Sequence, residues 1–342
     1  MMAPAIGVDP ALVEMMDAVF TEYREMRSPA GTLERDVDLW RRLDDIGLVR
    51  LTGAEHSGGS GAGWYEAAEL LAAAVRHGVR IPLAEHDLLA CWLLDANGLA
   101  ADGAVRTACL LDDHGVAKGV PWGAGADRIV VVWQAGGEYR TADVDIAALE
   151  ITPGANMLGE PRDTVFTDPA TLPGVPVGAS LVTQLRLKSA LARSIQVCAA
   201  IDRILQLSIE HATSRIQFGR PLSRFQAVQN LIADIAGEAA LARAATEAAL
   251  TAAVSSEWSA SNLDFLVAVA RSCAGHAASV VVRNAHQVHG AIGTTREHRL
   301  HEFTRAALAW RSEFGSVQHW DDRVTSAALR AGGAGLWSLI TG

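Results

Sequence analysis

Ser214-Arg215-Ile216-Gln217-Phe218-Gly219-Arg220-Pro221 is the stretch on which the reading of this chain turns. On its N-terminal side Leu187, Leu191, Ile195, Cys198, Ile201, Leu205 and Ile209 step by three or four, which predicts a long amphipathic helix. On its C-terminal side an Ala-rich run over residues 223–254 predicts a second. A plain helical hairpin does not need a turn with two cations, an aromatic ring, a Gly and a Pro. Further on stands a second unusual stretch, Gln287-Val288-His289-Gly290-Ala291-Ile292-Gly293. We read the two as halves of one ligand site.

A third long helix is expected over residues 263–290, and a shorter one beginning near Thr295. Long antiparallel helices with short connections predict a four-helix bundle over residues 179–342. Before it, residues 106–178 change character. Short β-type runs at residues 107–111, 129–133 and 164–166 lie between Gly, Pro and Asp turn signals. So few strands predict a small β domain that depends on its neighbours for stability. Residues 1–105 read as helical again. Leu12, Met15, Met16, Val19 and Phe20 mark a helix over residues 11–27, and a turn follows at Pro29 and Gly31. A second helix is expected over residues 33–46, ended by Gly47, and others over residues 64–76 and 83–96. The Gly-rich loop at residues 55–63 lacks the Lys-Ser/Thr end of a P-loop and follows no clear strand, so it reads as a turn. The expected fold is mainly α, with an N-terminal helical domain, a small middle β domain and a C-terminal bundle.

Bulk properties bound the function. The chain has 342 residues, half of them apolar, and a net charge of −10, with a pI near 5.5. That balance argues against non-specific attraction to nucleic acid. The four cysteines form no CxxC pair and no His/Cys cluster has zinc spacing, as in a reducing cytosol. There is no basic-then-apolar leader, and no apolar run approaches the ~20 residues of a membrane span. The expectation is a cytoplasmic protein with no membrane and no nucleic-acid partner.

The α–β–α order, together with the two stretches, resembles the acyl-CoA dehydrogenase family. Asp38-Leu39-Trp40-Arg41-Arg42-Leu43 and Ile46-Gly47-Leu48 look like its early helix, and Gly125-Ala126-Asp127-Arg128-Ile129-Val130-Val131 like a middle-domain strand. The most specific matches are Arg215-Ile216-Gln217-Phe218-Gly219-Arg220-Pro221, Phe225-Gln226-Ala227-Val228-Gln229, Leu231-Ile232-Ala233-Asp234 and Gln287-Val288-His289-Gly290-Ala291-Ile292-Gly293. Members use FAD to remove two hydrogens from the α and β carbons of an acyl-CoA thioester and hand the electrons to a transfer acceptor. The resemblance implies that Arg215, Gln217, Phe218 and Gln226 meet the adenine and pyrophosphate end of FAD. It implies that Gln287, Gly290 and Ala291 form the other half of that cradle. An Arg donates in a fixed fork and keeps its charge, and a Phe ring offers adenine a flat face. In the family this end usually lies against a neighbouring subunit, so an oligomer is implied too.

The resemblance also directs attention to a base. In many members it is a Glu followed by Gly and Thr. Counting from Gln287 without gaps, that Glu falls on Phe314; Glu313 stands one residue earlier, and Ser316 sits where the Thr belongs, which the resemblance makes a cofactor-binding position. A one-residue gap makes Glu313 the base; otherwise it is a helix-end Glu paired with Arg311. Other members carry the base on the first bundle helix, where this chain has Ser189, and an Arg for CoA near Ala190, beside Arg186 and Lys188. Glu297 and the histidines His286, His289, His298 and His301 invite a metal reading. His298 and His301, with Glu302, could share a helix face. The resemblance accounts for them without a metal, and none is expected.

The match fails in the middle domain. The motifs that hold the flavin ring are not visible around Arg106-Thr107-Ala108-Cys109-Leu110-Leu111-Asp112-Asp113-His114. A chain with only the adenine half implies a second, acyl-CoA dehydrogenase-like partner subunit. The family includes short bacterial subunits that pair as α2β2 heterotetramers, some acting on bulky steroid-derived CoA thioesters. The alternatives are a homo-oligomer with Glu313 as base and a non-catalytic structural partner. A flavin monooxygenase or oxidase on the same fold is a further alternative that no residue favours.

Overall fold

The computed structural model describes residues 7–26 and 34–341. The turn expected at Pro29 and Gly31, and the start of the second helix at residue 33, lie outside the described residues. The chain divides into two compact units, Met1–Ser189 and Ala190–Gly342.

In the first unit, helix α1 (Pro10–Met26) buries Met16, Val19 and Phe20 and packs on α3 (Trp64–His77). Helix α2 (Val37–Asp45) begins at Asp36, whose carboxylate accepts hydrogen bonds from the Asp38 and Leu39 amides at 3.1 and 3.0 Å. Such a cap satisfies amides that the first turn leaves free. The apolar spacing of Leu39, Trp40 and Leu43 then faces them inward.

The helix expected over residues 83–96 is not regular. Ala84–Cys91 form a π-helical run, and only α4 (Trp92–Ala96) continues as α-helix. Periodicity cannot reveal this, because every residue of the run is buried, Glu85, His86 and Asp87 included. Buried polar groups need partners; His86 and one Asp87 oxygen have them, while Asp87 Oδ1 has none among the described residues. The Asp87 carboxylate accepts from the Thr52 amide at 2.9 Å and its hydroxyl at 3.0 Å. His86 Nδ1 accepts the Arg106 amide at 3.0 Å.

The β segment holds more strands than its sequence suggests. Strands β1 (Arg106–Leu110), β3 (Arg128–Ala135), β4 (Glu138–Asp145) and β7 (Val175–Val177) form a four-stranded sheet in the order β1-β3-β4-β7. β1 and β3 run parallel, with Cys109 opposite Val131, while β3, β4 and β7 are antiparallel. Strands β2 (Val116–Pro121), β6 (Arg162–Phe166) and β5 (Glu150–Thr152) form an antiparallel three-stranded sheet. Cys109, Ala117, Val120, Ile129, Val131, Trp133, Ala142, Val144 and Val165, drawn from both sheets, share one core. The first unit thus stacks two sheets in the small β domain expected from the sequence, with seven strands among the described residues where three β-type runs are legible.

The second unit contains the later part of α5 (Ala179–Ser214), then α6 (Gln226–Ser255), α7 (Leu263–His289), α8 (Leu300–Trp310) and α9 (Val317–Thr341). Helices α6 and α7 meet through small buried residues, Ala239, Ala242, Ala249 and Ala253 on one and Ala270, Ala274, Ala277 and Ala278 on the other. A Cβ at Gly275 of α7 would stand 2.7 Å from Val317 of α9, so Gly sets how close those two helices come. Helix α9 is kinked at Gly332, where φ is +62°. Residues 263–294, α7 and the 3-10 turn after it, are long and apolar enough to cross a membrane by length and composition. That corrects the expectation of no such run. Half of its most apolar stretch is buried inside the bundle.

Candidate functional site

The Arg215 stretch forms a small hairpin. Helix α5 stops at Ser214, and β8 (Ile216–Gln217) pairs with β9 (Arg220–Pro221). The Leu222 amide donates to the Arg215 carbonyl at 2.9 Å and closes the base. At the tip Phe218 and Gly219 both have left-handed backbones, φ +53° and +77°. Two positive-φ residues make the turn that suits a two-residue hairpin. Gly accepts that conformation freely, whereas a bulky Phe is strained by it. The Phe218 ring is nevertheless 90% exposed. It stands edge-on to Phe225, which the Arg220 guanidinium covers at 4.2 Å. Gln226 opens α6 and is exposed, its amide on Asn230 at 3.2 Å. Arg215 is exposed, and among the described residues its guanidinium has no hydrogen-bond or ion-pair partner.

The second stretch ends α7. Gln287, Gly290 and Ala291 are exposed, and Gly290 (φ +61°) turns the chain into a 3-10 turn, Gly290–Thr294. Nothing lies within 4 Å of where a Gly290 Cβ would be, so the surface beside it is open.

A histidine cluster brings the two stretches together. His211, one turn before Arg215, stacks on His289, the residue before Gly290, with ring centroids 4.5 Å apart and 23° between planes. His298 stands edge-on to both, at 5.9 Å from His211 and 4.7 Å from His289. The ends of α5 and α7 therefore meet at one edge of the second unit. That edge presents a fixed cation, side-chain amides, a projecting ring and a bare Gly backbone. Such a set can receive a flat, anionic ligand. Burial holds all three imidazoles toward the neutral form, His289 at about 4.

His298, His301 and Glu302, which a helix face could have brought together, do not converge among the described residues. His301 Nδ1 instead lies 2.8 Å from the His298 carbonyl, and Glu302 pairs with Arg299.

Glu313 lies in the turn between α8 and α9. Its carboxylate is 2.7 Å from Arg193 Nε, and the Arg193 side chain is 2% exposed. The expected partner, Arg311, turns to Ser279 instead. Arg193 also reaches Gln196 at 2.5 Å and covers the Phe314 ring at 5.2 Å. Phe314 (φ +53°) and Gly315 (φ +115°) make the turn left-handed. Buried Arg271 donates to the carbonyls of Trp310, Arg311, Glu313 and Gly315, the shortest bond being 2.7 Å to Glu313. Burial pulls its pKa down to about 10, Arg193 adds to that, and Glu313 opposes it. The Ser316 hydroxyl accepts the His319 amide at 3.1 Å, which caps α9. Sequence reasoning missed Arg193 and Arg271. A charged residue at a core-facing helical position was the available signal.

In the first unit Lys188 is buried, its ammonium 4.8 Å from the Trp64 ring and 4.4 Å from the Trp92 ring. Burial pushes its pKa down to about 6, against the pull of Asp87. It offers no surface cation for CoA. Arg186 is exposed, over Tyr139 at 5.9 Å. The Ser189 hydroxyl is spent on the Leu185 carbonyl at 2.7 Å.

The comparisons with known proteins agree with this fold. A sequence profile described as "Acyl-CoA dehydrogenase, C-terminal domain" matches residues 178–319. The acyl-CoA dehydrogenase IpdE2 of Mycobacterium tuberculosis is 30% identical over 285 residues, covering 80% of each chain. The acyl-CoA dehydrogenase FadE27 of the same organism is 27% identical, covering 86% of this chain and 88% of that one. Among solved structures, a chain of the ChsE4-ChsE5 complex from M. tuberculosis superposes with a TM-score of 0.80 at 23% identity, over 95% of this chain and 98% of that one. A steroid ACAD variant described as Tcur3481-Tcur3483 gives 0.81 at 20% identity, over 95% and 98%.

Proposed function

Because the chain belongs to the acyl-CoA dehydrogenase family, we propose that it is a subunit of an FAD-dependent enzyme and supplies the adenine side of the cofactor site. The reading rests on the His211–His289 stack, which puts the two exposed stretches at one edge of the second unit. The residues there fit the group. Arg215 is a permanent cation without a partner among the described residues, Phe218 is held outward against its backbone preference, and the backbone at Gly290 is open to approach. Arg215, Gln217, Phe218 and Gln226 would hold one side of the adenine and pyrophosphate, and Gln287, Gly290 and Ala291 the other. The chemistry that FAD supplies when bound is acceptance of the two hydrogens taken from the α and β carbons of an acyl-CoA thioester. The electrons then pass to a transfer acceptor.

The missing ring-side motifs favour a hetero-oligomer with a second subunit of the same family. Two structural neighbours solved with two named proteins are consistent with that arrangement, and the one described as a steroid ACAD makes a steroid-derived acyl-CoA the first thioester to test. A second reading, a partner that completes the site without providing the base, is favoured by the engagement of Glu313 with Arg193. A carboxylate held this way suits fixing a turn better than taking a proton from carbon.

Flavin content tests the proposal. The chain is purified alone and after co-expression with a candidate acyl-CoA dehydrogenase-like partner subunit. Flavin absorbance only in the complex, lost with Arg215→Ala, is expected. Flavin retained by the Arg215→Ala complex would overturn the cofactor site. A yellow, active chain on its own would overturn the hetero-oligomer.

A further inference from the structure

We propose that His211, His289 and His298 form a binding site for one divalent transition-metal ion, with zinc as the reference ion. One ligand nitrogen from each residue lies within 4.8 Å of the other two. The three side chains come from different elements: the end of α5, the end of α7, and the segment before α8. No single helical repeat puts them together, so the fold itself makes the convergence.

The hydrogen bonding of His289 supports a ligand role. His289 Nδ1 lies 2.8 Å from the Ala285 carbonyl, which can only accept, so this nitrogen carries the proton. The other nitrogen, Nε2, is then left with a lone pair. It is buried and has no hydrogen-bond partner among the described residues. Metal-binding histidines commonly donate their second N–H to a backbone carbonyl in this way, which fixes the ring and its tautomer. The Leu207 carbonyl is a competing acceptor that, like Ala285, favours the charged ring, but using both would need a proton on both ring nitrogens, and burial outweighs them. Burial and the two neighbouring rings oppose that charge.

The chemistry favours a cation over an anion. Three imidazoles held toward neutrality offer lone pairs and no net positive charge, so a phosphate would find little to hold it. Imidazole suits zinc, copper, iron and nickel. Zinc bonds to His nitrogen at about 2.0–2.1 Å, which puts tetrahedral ligands about 3.4 Å apart. The rings would have to close by roughly 1.4 Å at the widest pair. The His211 ring, which stacks on His289, would also have to turn so that both ring planes meet the ion, a side-chain rotation. His211 and His298 are only half-buried and give the ion a way in. Of the nearby charges, Glu210 favours a cation and Arg215 opposes it. An ion here would fasten three elements just behind Arg215 and Gly290.

The test uses the full-length, tag-free chain stripped with a chelator. Zinc chloride is titrated by calorimetry, cobalt(II) binding is followed by its visible spectrum, and melting is recorded with and without zinc. The variants are His211→Ala, His298→Ala and His298→Gln, with His301→Ala as control. We expect one zinc per chain and a tetrahedral cobalt spectrum. We expect binding at least about tenfold weaker in each triad variant. Zinc should raise the melting temperature of the parent and of His301→Ala only. No stoichiometric binding, or binding that is equal in the parent and His298→Ala, would overturn the site.

Discussion

Arg193 Nε and the Glu313 carboxylate lie 2.7 Å apart, joining α5 to the turn between α8 and α9. Arg193 is almost fully buried, so removing its partner would leave a charge with little solvent. Glu313→Ala should therefore cost about 3 kcal/mol of stability by urea unfolding. Glu313→Gln, which keeps a hydrogen-bonding oxygen, should cost less. If the pair is structural, turnover of the reconstituted complex with Glu313→Gln should stay within about tenfold of the parent. Complete loss of turnover with unchanged folding would make Glu313 the base instead.

Arg271 should be the stronger determinant of the same turn. Its guanidinium serves carbonyls of Trp310, Arg311, Glu313 and Gly315, a fork that Lys cannot reproduce. Arg271→Ala should destabilise by about 3 kcal/mol or more, because one buried and three part-buried carbonyls lose their donor. Arg271→Lys should recover only part of that loss. Equal stability of the Lys variant and the parent, measured by urea unfolding, would contradict the account.

Lys188 predicts a pH slope. Its folded pKa is about 6 against the ordinary 10.5 of a lysine, so between these the unfolded chain binds more protons. Stability should then rise with pH across that window, by up to about 1.4 kcal/mol per unit. The cleanest range is pH 7 to 8.5. Asp87, raised to about 6, acts with opposite sign below that range. The lowered histidines, His86 at about 3 among them, add the same sign as Lys188 until the unfolded imidazoles have lost their protons just above 6.5. The Lys188 share is therefore read as the difference between the parent and Lys188→Met. The raised thiol pKa values of Cys91, Cys109 and Cys198 act from about 9 upward, with opposite sign. Lys188→Met should flatten the slope; an unchanged slope in denaturation at pH 7 and 8.5 would refute the assignment.

Phe218 should separate stability from binding. Phe218→Gly removes an exposed ring from a left-handed backbone, and should leave stability unchanged or raise it by up to about 1 kcal/mol. If the ring stacks on adenine, flavin affinity of the complex should fall by about tenfold or more. Equal flavin retention would remove Phe218 from the site.

How legible these features are in the sequence depends on how local they are. The helices are readable because Leu187 to Ile209 repeat at helical spacing, and the Arg215 turn because its composition is wrong for a loop. Strand β4 is hidden: Tyr139, Arg140 and Asp143 interrupt any apolar alternation, since Asp143 is used to hold Arg106 and Arg128. Gly119 and Pro121 disguise β2 in the same way. The π-helical run carries no period because no face of it meets water. At the site, the motif residues are local and readable. Arg193 stands 120 residues from Glu313, and the three histidines come from three elements, so both pairings exist only after folding.

The hairpin tip has a kinetic consequence. Phe218 and Gly219 are already in their left-handed conformations, braced by the Arg215–Leu222 hydrogen bond. A ligand or subunit that docks there meets a formed edge and has no loop to order. Its association rate should then follow how often the partners collide in the right orientation, and mutations at the tip should appear in how fast the complex comes apart.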